Sequence, residues 1–183
     1  MTEAQNFDAG FIGGFTTSQV SGDNLAGYNK LGARTGVYIS FPIHKKMKSQ
    51  IEIQYLQKGS KKPYIENSPE TYVLDLHYIE LPISLNYEVK KNLHLESGLG
   101  TAFLIHSKEQ DEIGDINSDG PNTITIDFLL GIQYQLKKHL KFNLRYANSI
   151  IPLRKHSSNG KWGVNKGQYS SLISFVFMYQ ISR

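Results

Sequence analysis

The sequence predicts an all-β fold, an eight-stranded antiparallel up-and-down transmembrane β-barrel. Runs of alternating hydrophobicity recur along the whole chain. Short turns that contain a Lys-Lys doublet join pairs of these runs, at Lys45-Lys46, Lys90-Lys91 and Lys137-Lys138. Long polar segments separate the other ends of the runs, so tight and long connections alternate along the chain. Barrels of bacterial outer membranes have this alternation of connections.

Length and composition fit a single domain, residues 1–183, because no stretch has the composition of a linker. Hydrophobic residues make up 39% of the chain, and the mean hydropathy is −0.36. No apolar run approaches the roughly 20 residues that a membrane-spanning helix needs, so a helical membrane protein is excluded. The same composition does not exclude a membrane barrel, because every second residue of its strands faces away from lipid and can be polar.

Charge and cysteine content narrow the possible functions. The formal charge is +4 and the isoelectric point about 9.1, but the basic residues are spread over turns and loops, which argues against nucleic acid as a partner. The lack of cysteine removes disulfides, thiolate metal sites and cysteine nucleophiles, and we predict no cofactor. Residues 1–5 have neither a basic start nor an apolar stretch, so we expect a mature chain from which an export signal has been removed.

The first three strands follow from period-two alternation. Strand one covers Phe7–Thr17 and strand two about Gly32–Ile43, each with apolar residues on one face and mostly Gly or polar residues on the other. Strand three follows the first Lys-Lys turn and alternates in the same way, with Leu56 as the exception.

Strand four covers about Leu74–Val89 and alternates clearly from Ile79 onward. Three apolar residues of its first part are out of phase with the rest: Leu74, Leu76 and Tyr78. Either a β-bulge near His77 restores the phase, or this end of the strand leaves the membrane.

The remaining four strands are regular. They lie near Leu93–Ile105, Ile124–Tyr134, Leu140–Tyr146 and Tyr169–Ile181. The total of eight is even, as in bacterial single-chain barrels. Four longer connections, about 19–31, 59–73, 107–121 and 148–168, then form extracellular loops at one end, and the three short turns face the periplasm.

Alternation alone also fits a soluble lipocalin-like barrel, in which the apolar face would point inward. Two features favour the membrane arrangement. The polar face is rich in glycine, which suits a crowded lumen better than a strand face in water. Aromatic residues of the apolar face lie near the short-turn end, where an interfacial girdle is expected: Phe41, Tyr87, Tyr134, Phe142 and Tyr179.

Three segments resemble a known family: Gly10–Gly14 followed by Ser18–Asp23, then Glu52–Gly59, and above all Tyr78–Leu85. The chain resembles the PorT-like outer-membrane β-barrel proteins of Bacteroidetes, and its Tyr-Ile-Glu-Leu-Pro sequence is similar to that family's Tyr-Leu-Glu-Ile-Pro strand. The resemblance extends over essentially the whole chain, although the C-terminal Ile181-Ser182-Arg183 departs from the common ending in Phe. It implies an integral eight-stranded barrel but no activity; the namesake serves a secretion system.

Strand parity places seven charged residues inside the barrel: Arg34, Glu52, Glu80, Glu96, Asp127, Lys141 and Arg145. An eight-stranded lumen is just wide enough for side chains to fill, and unpaired charges there would be costly. We therefore expect a lumen ionic network that plugs the barrel, with a proton or ion path as the alternative.

Residues 115–120, Asp-Ile-Asn-Ser-Asp-Gly, match the first half of a calcium loop. The candidate ligands are Asp115, Asn117 and Asp119. The position of the bidentate glutamate holds Ile126, and the flanks are predicted strands, so a polar surface loop is the alternative. Candidates for the missing oxygens are Asp111, Glu112 and Asp127.

We predict no enzyme activity. His156-Ser157-Ser158 and, more weakly, His106-Ser107 invite comparison with barrel hydrolases that act on lipids. A catalytic triad needs a base, a nucleophile and an orienting acid in fixed positions, and the sequence places no such acid near His156. We expect ordinary loop residues at both places.

Basic residues and the single tryptophan predict an outer basic rim: Lys61, Lys62, Arg154, Lys155, Lys161 and Trp162, with Lys58 and Lys166 close by. Such a rim favours anionic partners, here outer-membrane lipid and the phosphates of lipopolysaccharide, with plain solvated charge as the alternative. The predicted function is that of a monomeric integral barrel of the bacterial outer membrane with a structural or surface-binding role. The alternatives are a component of an envelope secretion or adhesion complex and a soluble ligand carrier.

Overall fold

A computed structural model of the chain describes residues 7–21, 27–62, 71–116, 120–155 and 167–182. These residues form β1 (Asp8–Ser21), β2 (Lys30–His44), β3 (Met47–Lys61), β4 (Tyr72–Lys90), β5 (Leu93–Asp111), β6 (Ile124–Lys137), β7 (Leu140–Ser149), β8 (Arg154–Lys155) and β9 (Gly167–Ser182). In the part of the chain so described, no helix combines the length and the apolar character that crossing a membrane requires.

The eight long strands form one closed antiparallel sheet. Strands β1 to β7 pair in sequence order, β9 pairs with β7, and β1 pairs with β9 to close the barrel. Every long neighbour pair is antiparallel, so the predicted up-and-down barrel of eight strands is confirmed. The two-residue β8 pairs with the beginning of β9, where Arg154 faces Gln168.

Three two-residue turns, at 45–46, 91–92 and 138–139, join β2 to β3, β4 to β5 and β6 to β7. Each Lys-Lys doublet lies in or directly beside one of these turns. Asn92 adopts a φ of 69°, a left-handed conformation that asparagine tolerates in tight turns. At the opposite end the strands run further than expected: β1 ends at Ser21 and β5 at Asp111.

The apolar face of the strands points outward. On β4, Ile83 and Leu85 are exposed and Ser84 between them is buried. Near the short turns, Tyr87, Tyr134 and Tyr179 are also exposed. The polar residues point inward, which is the arrangement of a barrel surrounded by lipid. The soluble-carrier alternative is therefore wrong, because it needs the apolar side chains inside.

The apolar residues in the first part of β4 depart from the predicted pattern, although β4 itself contains no bulge. Strand β4 keeps one phase throughout, so Leu74, Leu76 and Tyr78 point inward together with Glu80. The register shift with β5 leaves the extra residue on β5, where Ile105 has no partner. The expected correction of phase in β4 is thus wrong, and the bulge changes the phase of β5 instead.

Beyond this bulge the polarity of the two faces is reversed. The outward-facing side chains are now mainly polar: Gln57, Asp75, His77, His106 and Lys108. The inward-facing ones are mainly apolar: Leu56, Leu74 and Leu76. A sheet in water buries its apolar face, so this end of the barrel lies outside the hydrocarbon layer. The strands therefore continue past the membrane, which shortens the long connections relative to the prediction.

Candidate functional site

The middle of the lumen holds an ionic cluster centred on Arg145 of β7. Its guanidinium donates to both carboxylate oxygens of Glu52 on β3, at 3.0 and 2.5 Å, and to both of Glu96 on β5, at 3.1 and 2.6 Å. Asn143 donates to Glu96 at 2.7 Å, and Gln50 donates to Glu52 at 2.6 Å. The three charged side chains are at most 3% exposed. One guanidinium thus connects β3, β5 and β7 across the barrel.

A second cluster surrounds Arg34 of β2. Its guanidinium donates to Glu80 of β4 at 3.3 Å, to the Gln54 side-chain oxygen at 2.8 Å and to the Ser174 hydroxyl at 2.7 Å. The Gln54 amide also donates to the same Glu80 oxygen, at 2.7 Å. Arg34 and Glu80 are both fully buried, and their opposite charges pair with each other. Both of these hydrogen bonds to Glu80 reach its Oε2 atom, and its Oε1 atom has no hydrogen-bond partner in the described part of the chain.

Asp127 of β6 faces inward and pairs with Lys58 of β3 at 2.7 Å. Both side chains are at most 2% exposed, and the Lys58 ammonium lies 4.7 Å from the centre of the Tyr78 ring. The expected position of Lys58 near the outer rim is therefore wrong. Lys58 lies on the inner face of β3, the face that also carries Glu52 and Gln54, because alternate residues of a strand share one side.

Lys141 of β7 faces inward and is 8% exposed, but it does not join the ionic network. No described carboxylate forms an ion pair with it, and its ammonium lies 5.6 Å from the centre of the Tyr38 ring. Its predicted place in the network is wrong because of distance along the strand. Four residues of extended chain, roughly 13 Å, separate Lys141 from Arg145 and bring Lys141 to the short-turn end.

Two inward-facing glycines make room for the carboxylates. A Cβ atom at Gly100 would lie 2.5 Å from a Glu80 carboxylate oxygen, and one at Gly131 would lie 2.6 Å from a Glu96 oxygen. Both distances are far below a van der Waals contact, so a larger residue at either position would displace a charged partner.

The outer end of the interior is filled by an apolar cluster that the sequence did not predict. Its buried members are Val20, Leu56, Leu74, Leu76, Tyr78, Ala102, Leu129, Ala147, Leu153 and Leu172. Leu74 and Leu76 lie beyond Glu80 on β4, toward the long connections, whereas Leu56 and Ala102 pair with Arg34 and Glu80 and so lie level with the second ionic cluster. The signal in the sequence was the set of residues that broke the expected phase, Leu56 and the first part of β4. Such exceptions indicate an inward apolar residue at a strand end that has left the lipid.

The predicted calcium loop lies partly outside the described residues, which include Asp115 but not Asn117 or Asp119. The Asp115 side chain is 68% exposed and accepts a hydrogen bond from the Gln110 amide at 2.7 Å. The proposed contribution of Asp127 is wrong, because this carboxylate lies in an ion pair inside the barrel. Within the described ranges, no group of three His, Cys, Asp or Glu side chains is placed to hold a metal ion.

The predicted basic rim is also described in part. Lys61 is exposed and Lys62 is half-buried. Arg154 is not a free rim charge, because it donates to the Glu109 carboxylate at 2.9 Å and its side chain is 17% exposed. The side chain of Lys155 and all of Lys161 and Trp162 lie outside the described part of the chain.

The two candidate catalytic pairs gain no support. His106 and Ser107 are neighbours on β5, so their side chains point to opposite faces of the sheet. The His106 ring packs against His77, with ring centres 5.3 Å apart. The other pair, at residues 156–158, lies outside the described residues.

The profile of the family described as "Outer membrane protein beta-barrel domain" matches residues 3–154. The chain belongs to this family. Membership of an outer membrane protein beta-barrel family, together with the outward apolar face, places the chain in the bacterial outer membrane. No curated protein has a significantly similar sequence.

Two solved structures have the same fold as this outer membrane barrel. One is Ail, the attachment invasion locus protein of Yersinia pestis, which was solved in complex with the heparin analogue sucrose octasulfate. It matches this chain with a TM-score of 0.58 at 12% identity, over 96% of this chain and 99% of the Ail chain. Neisserial surface protein A gives 0.57 at 12% identity, over 98% and 100%. At such identities the similarity shows the fold alone.

Proposed function

We propose that this chain is a non-conducting, monomeric outer-membrane barrel that presents binding surfaces outside the cell. The observation that carries the proposal is the ion-paired lumen, in which Arg34 and Arg145 bind carboxylates of several strands. The apolar cluster at the outer end adds a second level of buried side chains, and we expect the two levels together to leave ions no continuous water path. The barrel then serves as a scaffold for its outer strand ends and long connections.

Single-channel recording in planar bilayers tests the plugged lumen. We expect no steady conductance from the unaltered chain. The double variant Arg145→Ala, Leu76→Ala shortens one side chain at each filled level and should produce openings, whereas Lys91→Ala in a short turn should stay silent. A steady, large conductance from the unaltered chain would overturn the proposal.

The surface role rests on cations at the outer end. Lys61 is exposed, and Lys108 is half exposed, at 3.7 Å from Asp115. Together with the neighbouring Lys62, these cations suit phosphate groups of lipopolysaccharide. Ail was solved in complex with the heparin analogue sucrose octasulfate, which is an anion. We propose that the outer end of this chain also binds an anionic ligand. This proposal stands on this chain's own charges.

Binding to lipopolysaccharide vesicles tests this role with a matched pair of variants. The double change Lys61→Glu, Lys62→Glu should weaken binding several-fold and make the remainder less sensitive to salt. The same reversal at Lys45 and Lys46, in a short turn, should leave binding unchanged. Equal losses in both variants would refute an outer-end site.

A second candidate is a component of an envelope secretion or adhesion complex. We infer it from the resemblance of Tyr78–Leu85 to PorT-like proteins and from the apolar side chain of Ile113, which is 91% exposed in the connection after β5. Cross-linking in intact envelopes, followed by comparison with Ile113→Asn, tests this candidate. If the unaltered chain gives no cross-linked product, or if the Ile113→Asn variant gives the same products, the result would argue against a partner at this connection.

A further inference from the structure

The lumen opens at the short-turn end into a cavity of about 250 Å³. Every side chain that lines the cavity is polar. The cavity lies on the inner side of the Arg145 cluster, at the opposite end of the barrel from the apolar cluster. A ligand would therefore enter from the short-turn end, and the lining suits a hydrophilic ligand better than an acyl chain.

The cavity has an excess of positive charge. It is lined by Lys48, Lys138 and Lys141, but its one carboxylate is that of Asp8. Asp8 is already engaged, because Lys48 pairs with it at 2.6 Å and the Gln180 amide donates to it at 3.0 Å. This leaves two ammonium groups, on Lys138 and Lys141, without a compensating acid among the described lining residues.

Lys141 and Asn86 are the two groups that point to a ligand. Lys141 is largely buried, and the charges that act on it are those of Lys48 and Asp8. Asn86 is 3% exposed, lines the same cavity, and has no hydrogen-bond partner for either side-chain amide atom in the described part of the chain. A buried cation and a buried amide N–H both require an acceptor, and an oxyanion can accept from both the Lys141 ammonium and the Asn86 N–H.

We propose that this cavity binds an oxyanion of phosphate size. The Lys141 ammonium supplies the opposite charge, and the Asn86 amide donates an N–H to an anion oxygen. The Gln133 amide is a further donor, because its present contacts are long, 3.4 Å to Gln50 and 3.8 Å to the Met178 sulfur. The phosphate is either free or part of a lipid headgroup, since the cavity opens where the short turns meet the membrane surface.

Side-chain amide NMR of the folded chain in an alkyl maltoside detergent tests the site with sodium phosphate as the probe. Chloride keeps the ionic strength constant, so that general screening does not mimic binding. We expect a saturable shift of the Asn86 and Gln133 amide signals. Lys141→Met should weaken binding at least tenfold, Lys141→Arg should retain it, and Lys91→Met, in a turn outside the cavity, should match the unaltered chain.

A second arm separates the two sources of phosphate. Short-chain dihexanoylphosphatidylglycerol is added to the same detergent in place of inorganic phosphate. If the amide shifts saturate at a lower concentration of this lipid than of inorganic phosphate, the ligand is a lipid headgroup. If they saturate at a lower concentration of inorganic phosphate, the ligand is free phosphate. Either result supports the site.

Heat-modifiable migration on a gel shows that each variant is folded. If Lys141→Met does not fold, Asn86→Leu replaces it, and the Gln133 signal reports the expected loss of binding. The absence of a saturable shift with both probes, or an equal loss in Lys91→Met, overturns the proposal. Anion binding and conductance are separate measurements, so this failure would leave the plugged lumen untouched.

Discussion

Replacing Arg145 by methionine removes the cation at the centre of the larger lumen cluster and keeps a side chain of similar length. Glu52 and Glu96 then stay buried without their partner. The guanidinium makes four hydrogen bonds to these carboxylates, between 2.5 and 3.1 Å. We expect the free energy of unfolding to fall more than for any single substitution on a water-exposed surface.

The size of this loss in unfolding free energy can be estimated from an upper limit and from the typical cost of breaking a buried ion pair. Hydrogen bonds to charged groups contribute about 1.5–3 kcal/mol each, so four of them set an upper limit of about 6–12 kcal/mol. The true loss is smaller, because methionine avoids the desolvation cost of a guanidinium and the remaining carboxylates can take up protons or water. Removal of one partner from a buried ion pair costs about 3–5 kcal/mol, which is our expected value.

Urea unfolding in lipid vesicles, followed by far-ultraviolet circular dichroism and by migration of unheated samples on a gel, measures this loss. The matched comparison is Arg145→Met combined with Glu52→Gln and Glu96→Gln, which removes the unpaired charges and should recover at least half of the stability. A loss below about 1 kcal/mol for Arg145→Met, typical of an exposed pair, would refute the buried network.

Three further changes probe the lumen, the lipid face and the outer end. Gly131→Val should displace the neighbouring glutamate and cost about 1–3 kcal/mol, whereas Gly13→Val, where a Cβ meets nothing within 4 Å, should be nearly neutral by the same urea titration. Leu99→Arg should cost about 2–4 kcal/mol near the bilayer midplane, and Ile113→Arg in an outer connection about zero; similar costs would contradict the assigned lipid face. Leu76→Ala, at a fully buried site, should cost about 2–5 kcal/mol, and a negligible loss would mean that the outer end is not packed.

Much of the barrel could be predicted because period-two alternation and turn chemistry are local properties. The Lys-Lys turns identified the hairpin ends, and parity alone identified the inward direction of Arg34 and Arg145. Which charges meet was a different question. Pairing across a barrel depends on the stagger of strands that are distant in sequence, so the contact of Lys58 with Asp127 could not be predicted from parity. Parity also ignores distance along a strand, which is what separates Lys141 from Arg145.

The outer end was harder to predict for a second reason. Period-two alternation shows which residues share a face, but it does not show which solvent that face meets. When the strands leave the lipid, the same alternation continues with reversed meaning, so Leu74 and Leu76 looked like a defect in β4. The bulge at Ile105 left no distinct signal in an otherwise regular apolar run.

The unmatched residue Ile105 shifts the register of β5 against β4 near the point where these strands leave the lipid. Below it, a one-residue insertion would turn a whole row of side chains from lipid to lumen, and selection would reject it. Above it, hairpins can grow, shrink or be exchanged while the embedded part keeps its pattern. The part of the chain beyond the lipid can therefore change in sequence and length while the embedded part keeps the barrel anchored in the membrane.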